Sequence, residues 1–399
     1  MSRATGADRT PRVLIVTRNL PPLVGGMERL NWHLAQQLAR FAEVRVVGPS
    51  GSAALGPAGV DIVEAAGGGL PGFLTQAMRK ALHVARTWRP DVVLAGSGLT
   101  APIAVVAARI CGARAAVYAH GLDLTVRNPV YRTLWLPFVR RAHVVVVNSS
   151  ATRDLAISMG VEPARLQLVH PGVDIPSEFA KTHAEQFRTR HGLGNAPVLI
   201  SVGRLTARKG VLEFVRDALP TIAAQAPNVM LVVIGDAPAN ALAAKAQSID
   251  SIRQAAQTSG VAKHVKFLGT VSEDELQAAY ASASIHVFPV RHIPNDPEGF
   301  GMVAIEAAAH GVPTVAYRNG GVPDAVSDEV SGHLVAPGDA EAFAEAVVDL
   351  MHRPLTRERI VGFSRRFAWE RIGDQLAAVL GLASNGPTKA PAPIDASNR

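Results

Sequence analysis

The sequence predicts an α/β chain built from two doubly wound parallel-sheet domains in tandem, and three observations carry that prediction. Its 399 residues exceed what one core holds, because single cores stop growing at roughly 250–300 residues. Hydrophobic residues make up 48% of the chain but aromatics only 5%, a mix rich in Ala, Val and Leu that suits helices packed on buried parallel strands better than an all-β sandwich. Short apolar runs alternate with helix-length segments, and that rhythm stops once and restarts.

The first series of runs lies at 13–16, 44–47, 91–94, 115–118 and 144–147. Each is followed by a stretch long enough for a helix, which is the βα repeat of a sheet covered on both faces. The second series lies at 198–202, 230–234, 265–268, 285–288 and 313–316. Between the two, His170-Pro171-Gly172-Val173-Asp174-Ile175-Pro176 leads through a polar stretch to Asn195-Ala196-Pro197. Pro and Gly punctuate this segment and no apolar period runs through it, so it reads as a linker with the boundary at 175–195. After a last helical segment ending near Leu382, the tail at 384–399 has little to bury and is expected to be disordered.

The single cysteine, Cys111, has no internal partner for a disulfide, and the first residues lack the apolar core of a secretory signal. A cytoplasmic location is the expectation. Arg109 and Arg114 interrupt the most apolar stretch, so no uncharged run reaches the roughly 18 residues of a spanning helix. A net charge of +7 favours anionic partners: nucleotides, lipid headgroups or nucleic acid. The last is disfavoured by the lack of zinc-type Cys/His spacing, of an aromatic-rich RNA-binding strand and of a recognition-helix signature.

In doubly wound sheets, ligands bind beyond the carboxyl ends of the strands, and the chemistry-bearing segments of this sequence follow strands. After the first run comes Leu20-Pro21-Pro22-Leu23-Val24-Gly25-Gly26-Met27-Glu28. Paired glycines there let backbone approach a ligand at a helix start, where open N–H groups favour phosphate; a loop cap without a ligand explains the pair as well. After Val202 stands Gly203-Arg204-Leu205-Thr206-Ala207-Arg208-Lys209-Gly210, a basic loop suited to a diphosphate, with a solvated loop as the alternative. Arg204 and Lys209 each adjoin a glycine and are preferred, while Arg208 could point outward.

The densest signal is Pro297-Glu298-Gly299-Phe300-Gly301-Met302-Val303-Ala304-Ile305-Glu306. Glu298 precedes a helix expected to begin near Gly301 and Glu306 is expected about two turns into it, so two carboxylates can face one elongated ligand. Glycoside hydrolysis also uses paired carboxylates, yet seldom beside a basic diphosphate loop. His120-Gly121-Leu122-Asp123 could offer a histidine to a sugar hydroxyl, or a structural histidine. Asn319-Gly320-Gly321 reads as a further phosphate-approachable turn. Gly96-Ser97-Gly98 fits the loose dinucleotide fingerprint, but no acidic ribose partner ends a following strand.

Together, in order and spacing, these motifs resemble the retaining glycosyltransferases of family 4, and the resemblance runs from the Gly25-Gly26 segment through His170–Asp174 to the Glu298/Glu306 block. It implies a GT-B fold of two Rossmann-like domains facing across a cleft. Residues 1–178 would bind the acceptor and 179–368 the nucleotide sugar, with a last helix at about 369–383 packing back on the first domain. Arg204 and Lys209 then resemble the pair that neutralises the donor diphosphate and the leaving group, so neither a metal nor another cofactor is implied. Glu306 resembles the carboxylate on the ribose hydroxyls and Glu298 the one that meets the transferred sugar. Backbone at Gly299, Phe300, Gly301 and Met302 would lie near phosphate and sugar. Gly25 and Gly26 resemble donor-approaching glycines, and His120 the histidine on the sugar's 6-hydroxyl.

Two departures from the family pattern stand out. Ala237 and Pro238 follow Gly235-Asp236 where a second glycine is common, and the loop from Arg291 to Pro297 is long and carries His292 and Asp296, which could alter sugar selection. Basic residues Arg79, Lys80, His83, Arg86 and Arg89, and then Arg127, Arg132, Arg140 and Arg141 beside Trp135 and Phe138, suit either a membrane surface or solvated helix faces. The expected partners are a nucleotide-sugar donor (UDP or GDP) and an acceptor sugar, lipid-linked as for many relatives or soluble, with no nucleic acid. The inner face of the cytoplasmic membrane is the expected site of action for a lipid-linked acceptor. The competing functions are a sugar-nucleotide epimerase or phosphorylase of the same fold, and a basic binding protein without turnover.

Overall fold

The computed structural model describes residues 9–126, 128–176, 181–237 and 246–382. They form two compact units, one running to Gly172 and resuming at Trp369, the other spanning Val173–Ala368. The division falls at Gly172, ahead of the 178/179 boundary expected from the sequence. Asp174 and Pro176 had suggested linker, but Val173 already belongs to the second unit: it is buried, and its N–H donates to the Phe367 carbonyl at 2.8 Å.

In the first unit, strands β1 (Arg12–Val16), β2 (Glu43–Gly48), β3 (Val60–Glu64), β4 (Val92–Ala95), β5 (Arg114–Ala119), β6 (Val144–Val147) and β7 (Leu166–Leu168) make one sheet ordered β3-β2-β1-β4-β5-β6-β7. Every pairing is parallel. Val13, Leu14, Ile15 and Val16 on β1 and the four valines of β6 are buried on both faces, which is why they read as unbroken apolar runs. β3 and β7 escaped the sequence reading for the opposite reason. β3 is a half-buried edge strand interrupted by Asp61, and β7 has three residues with two exposed.

The helix Gly26–Leu38 buries Leu30, Leu34 and Leu38, the face read from their spacing. The last helix, Trp369–Leu380, packs against it: the His33 ring stacks on Trp369 with centroids 4.3 Å apart, Arg40 pairs with Asp374 at 3.0 Å, and a Cβ on Gly373 would lie 2.7 Å from Gln37. Glycine at this crossing therefore sets how closely the helices approach.

In the second unit, β8 (Val198–Val202), β9 (Met230–Ile234), β10 (Val265–Gly269), β11 (Ile285–Phe288), β12 (Thr314–Tyr317) and β13 (Gly332–Val335) form a parallel sheet ordered β10-β9-β8-β11-β12-β13. The chain winds outward from β8 on one side and from β11 on the other, so the strand order reverses between them. That is the switch point where open sheets of this kind leave a crevice beyond the strand ends. The stretch taken as linker holds a helix, Lys181–Arg190, in which Phe187 is the buried residue among the described side chains. One apolar anchor in ten polar-rich residues leaves no period to read. The tail at 384–399, Arg127 and Pro238 lie outside the described residues.

Candidate active site

The two loops that leave β8 and β11 flank the switch point of the second unit and carry Arg204, Arg208, Lys209, Asp296 and Glu298. The first loop is built around glycines. Gly203 adopts φ +133 and Gly210 φ +69, and a Cβ on Gly210 would lie 2.0 Å from the Pro289 carbonyl oxygen, so only glycine lets this loop pass the next one. Between them Leu205 is buried and its N–H donates to the Asp236 carbonyl at 2.9 Å, which pins the loop to the neighbouring strand end.

Lys209 Nζ lies 2.8 Å from Glu298 Oε2 and 4.7 Å from the centre of the Phe288 ring. Arg208 also pairs with Glu298 Oε2, and its Nε lies 3.1 Å from Asp296 Oδ1 without the alignment of a hydrogen bond. Arg208, Asp296 and Glu298 are 7%, 8% and 9% exposed, so Arg208 points inward, against the outward direction that the sequence left open. The physical reason is a one-turn helix, Ala207–Lys209, that turns Arg208 and Lys209 towards the same carboxylate, while Arg204 is the exposed cation of the loop.

Burial pushes the Glu298 carboxyl up, but Arg208, Lys209 and Arg204 together outweigh it and hold it below the usual carboxylate range. Burial likewise holds the Lys209 ammonium below the ordinary lysine range, against the pull of Glu298. Beneath them on β11, burial with a further push from Lys209 brings the His286 imidazole down to about 3, so it is neutral at physiological pH.

Beyond Glu298 the chain turns through Gly301, at φ +99, into the helix Met302–Ala309. A Cβ on Gly301 would lie 2.8 Å from the Phe288 ring. Glu306 sits about one turn into this helix, not two, because it lies only four residues past Met302 and a turn takes about 3.6 residues. It accepts a hydrogen bond from the Tyr280 hydroxyl at 3.1 Å, and Tyr280 is fully buried. Sequence reading missed Tyr280, since nothing in the spacing ties a tyrosine to a glutamate on a different helix. The Asn319-Gly320-Gly321 turn packs backbone to backbone: Gly321 N–H donates to the Glu298 carbonyl at 2.9 Å, and a Cβ on Gly321 would lie 2.1 Å from the Gly299 carbonyl oxygen. Its glycines thus support the Glu298 loop, where a phosphate-approachable turn had been expected.

In the first unit, Gly25 precedes the helix that Gly26 opens, and a Cβ on Gly25 would lie 2.4 Å from the Glu28 carboxylate. His120 is buried beyond β5, with Nε2 3.3 Å from the Gly96 carbonyl oxygen and its backbone N–H donating to Asp123 at 2.9 Å. Burial keeps its imidazole below the ordinary histidine range, against the nearby Asp123 and Glu28 carboxylates. Gly96 and Gly98 are packing glycines: a Cβ would meet Asn31 at 2.1 Å in the first case and the Tyr131 hydroxyl at 2.6 Å in the second.

Comparison with known proteins decides the family. Residues 24–176 match the model described as Glycosyltransferase Family 4, and residues 184–367 match Glycosyl transferases group 1. A GDP-mannose-dependent alpha-(1-6)-phosphatidylinositol monomannoside mannosyltransferase of Mycolicibacterium smegmatis is 30% identical over 388 residues, covering 92% of this chain and 98% of that protein. The chain belongs to glycosyltransferase family 4. Its fold is GT-B, as in Anabaena HepE solved in complex with UDP (TM-score 0.76, 21% identity, covering 93% of this chain and 99% of that one). Sucrose-phosphate synthase of Thermosynechococcus elongatus is similar too (TM-score 0.73, 20% identity, covering 92% and 98%). D-inositol 3-phosphate glycosyltransferase of Mycobacterium marinum is 33% identical over 248 residues, 60% of this chain and 50% of that protein.

For a family 4 glycosyltransferase, the second unit thus brings Lys209, Glu298 and the start of the Glu306 helix together at one switch point. Arg204 acts on Lys209 and Glu298 through its charge. Gly25, Gly26 and His120 belong to the first unit. The signal for Arg208 and Asp296 was present in the sequence, as a cation beside Lys209 and an acid two residues before Glu298, but only the fold shows that they touch.

Proposed function

We propose that this glycosyltransferase moves a hexose, with retention of configuration and without a metal, from a nucleotide-diphosphate donor to an acceptor. The observation that carries the reading is the meeting of a basic loop after β8 with Glu298 after β11, next to a glycine-opened helix start. Arg204 and Lys209 neutralise the diphosphate and the charge that develops on the leaving group. Backbone N–H groups from Gly299 to Met302 lie where a helix start favours phosphate. Glu306, held by Tyr280, takes the ribose hydroxyls. Glu298 stabilises the transferred sugar as its bond to phosphate breaks. The acceptor attacks from the face that the nucleotide leaves, and a phosphate oxygen takes up its proton, so no covalent intermediate is required. Within the first unit, Gly25, Gly26 and His120 are donor contacts, with the neutral His120 imidazole directed at a sugar hydroxyl.

The whole-length likeness to a GDP-mannose-dependent enzyme makes GDP-mannose the first donor to test, with UDP-glucose second. The reading extends to a lipid-linked acceptor for surface glycolipid or polysaccharide assembly, met at the inner face of the cytoplasmic membrane. Val130 and Leu134, 55% and 56% exposed, near exposed Arg132, Arg140 and Arg141 support it. No helix among the described residues is long and apolar enough to cross a membrane.

The test is incubation with a panel of GDP-, UDP- and ADP-sugars, with and without polyprenyl- or inositol-lipid extract, following nucleotide release. Acceptor-dependent release supports transfer, and the anomeric proton coupling of the product reports retention. Conversion of the sugar nucleotide alone would replace transfer by epimerisation, and absence of binding would leave a basic scaffold. Full activity after exhaustive chelation is expected; restoration only by an added metal would remove the metal-independent reading.

A further inference from the structure

We propose that Arg208 and Asp296 are positioning residues: anchored by Asp296, the Arg208 guanidinium keeps Glu298 in place when Lys209 leaves that carboxylate for the donor diphosphate. This rests on the glycosyl-transfer reading above and adds to it a division of labour between adjacent cations.

Arg208 and Lys209 both engage the same oxygen of Glu298, Oε2, and among the described residues nothing hydrogen-bonds Oε1. Glu298 is 9% exposed, and a carboxylate buried to that degree is strongly destabilising once its partner is removed. If Lys209 were its only cation, each donor binding event would strand it. The second cation removes that difficulty, provided it stays.

The structure holds Arg208 in three ways. Its Nε faces Asp296 at 3.1 Å. Its carbonyl accepts the Arg291 N–H at 2.8 Å. Arg291 is in turn paired with Glu213, which also accepts from Gln247 Nε2 at 3.0 Å. Lys209 is braced at its backbone, where its N–H donates to the Thr206 carbonyl at 2.9 Å, but its ammonium has only Glu298 and the face of Phe288 among the described residues, and a four-carbon stem lets it swing. The four charges of Arg208, Lys209, Asp296 and Glu298 cancel, so the arriving diphosphate draws on Lys209 and on the exposed Arg204 without unpairing a buried acid.

The experiment uses the full chain and compares Arg208→Gln, Arg208→Lys, Asp296→Asn and Lys209→Ala. It measures turnover against pH, GDP and UDP affinity by calorimetry, and melting temperature. Glu298 is faced by Arg208, Lys209 and Arg204 from the β8 loop, by Asp296 through Arg208 from its own loop, and by the neutral His286 from β11 beneath Lys209. Removing Arg208 therefore removes a cation that holds its carboxyl down. Expected are a loss in turnover on the order of tenfold or more for Arg208→Gln, an acid limb displaced to higher pH, nucleotide affinity close to wild type, and partial rescue by Arg208→Lys. Asp296→Asn should act in the same direction more weakly, which keeps the test open if Arg208→Gln fails to fold. Lys209→Ala should weaken nucleotide binding. Unmoved turnover and pH profile in both Arg208→Gln and Asp296→Asn, or a loss of nucleotide affinity in Arg208→Gln equal to that in Lys209→Ala, would overturn the proposal and leave glycosyl transfer standing. A wild-type chain without acceptor-dependent turnover removes that reading and this one with it.

Discussion

Replacing Lys209 by alanine is the sharpest test of where the leaving-group charge is met. Its side chain is 16% exposed and its ammonium lies 2.8 Å from Glu298, so it works in a partly dry environment. At an effective dielectric of about 20, two unit charges about 4 Å apart interact by roughly 4 kcal/mol. Arg204 and Arg208 remain in the variant and supply part of that field, which brings the expected loss of transition-state stabilisation to about 1.4–4 kcal/mol, or roughly tenfold to a thousandfold in turnover. The fold should survive, because Glu298 keeps Arg208 as a partner. The assay is nucleotide release with donor and acceptor at saturation, alongside a melting curve to establish that the variant is folded. Turnover within about twofold of wild type in a folded Lys209→Ala protein would refute the assignment of the diphosphate to this loop.

Other substitutions probe neighbouring parts of the argument. Tyr280→Phe removes the hydroxyl that donates to Glu306 and is expected to weaken nucleotide affinity by about three- to tenfold, with a stability change near 1 kcal/mol; calorimetry with GDP or UDP checks it, and Glu306→Ala should exceed it. Glu298 has a carboxyl held below the usual range by its cations, so its contribution to stability is present above the unfolded value of about 4.3 and is lost as pH falls through the lower folded value. A Glu298→Gln protein should accordingly lose part of the steep acid limb of melting temperature against pH, and turnover should fall more than nucleotide affinity. Gly210→Ala places a Cβ 2.0 Å from the Pro289 carbonyl oxygen at φ +69, and a destabilisation of about 2 kcal/mol or more is expected, read as a lowered melting temperature.

The buried strands were legible because they are mostly apolar and buried on both faces: past Arg12 and Arg114 at the strand starts, β1, β5, β6, β8 and β11 have no exposed side to encode. The edges were not. β3 and β13 pair on one side only and mix polar with apolar residues, so they carry neither a run nor a clean alternation. The helix Lys181–Arg190 was hidden in the supposed linker because, among its described side chains, Phe187 is the one buried.

At the site the division is similar. Composition, strand rhythm and the order of glycines, cations and acids determined the fold class and the family and brought Arg204, Lys209, Glu298 and Glu306 forward as candidates, since backbone-approach glycines and charge type are written directly in residue identity. Tertiary structure alone decided that Arg208 turns inward, that Asp296 anchors it, that Tyr280 reaches Glu306, and that the Asn319-Gly320-Gly321 turn supports a loop. Each of those facts is a contact between residues from 22 to 88 positions apart where a side chain or turn meets another element, or a direction fixed by one turn of helix. Such contacts depend on how loops leave two neighbouring strands, which residue type and local spacing do not encode.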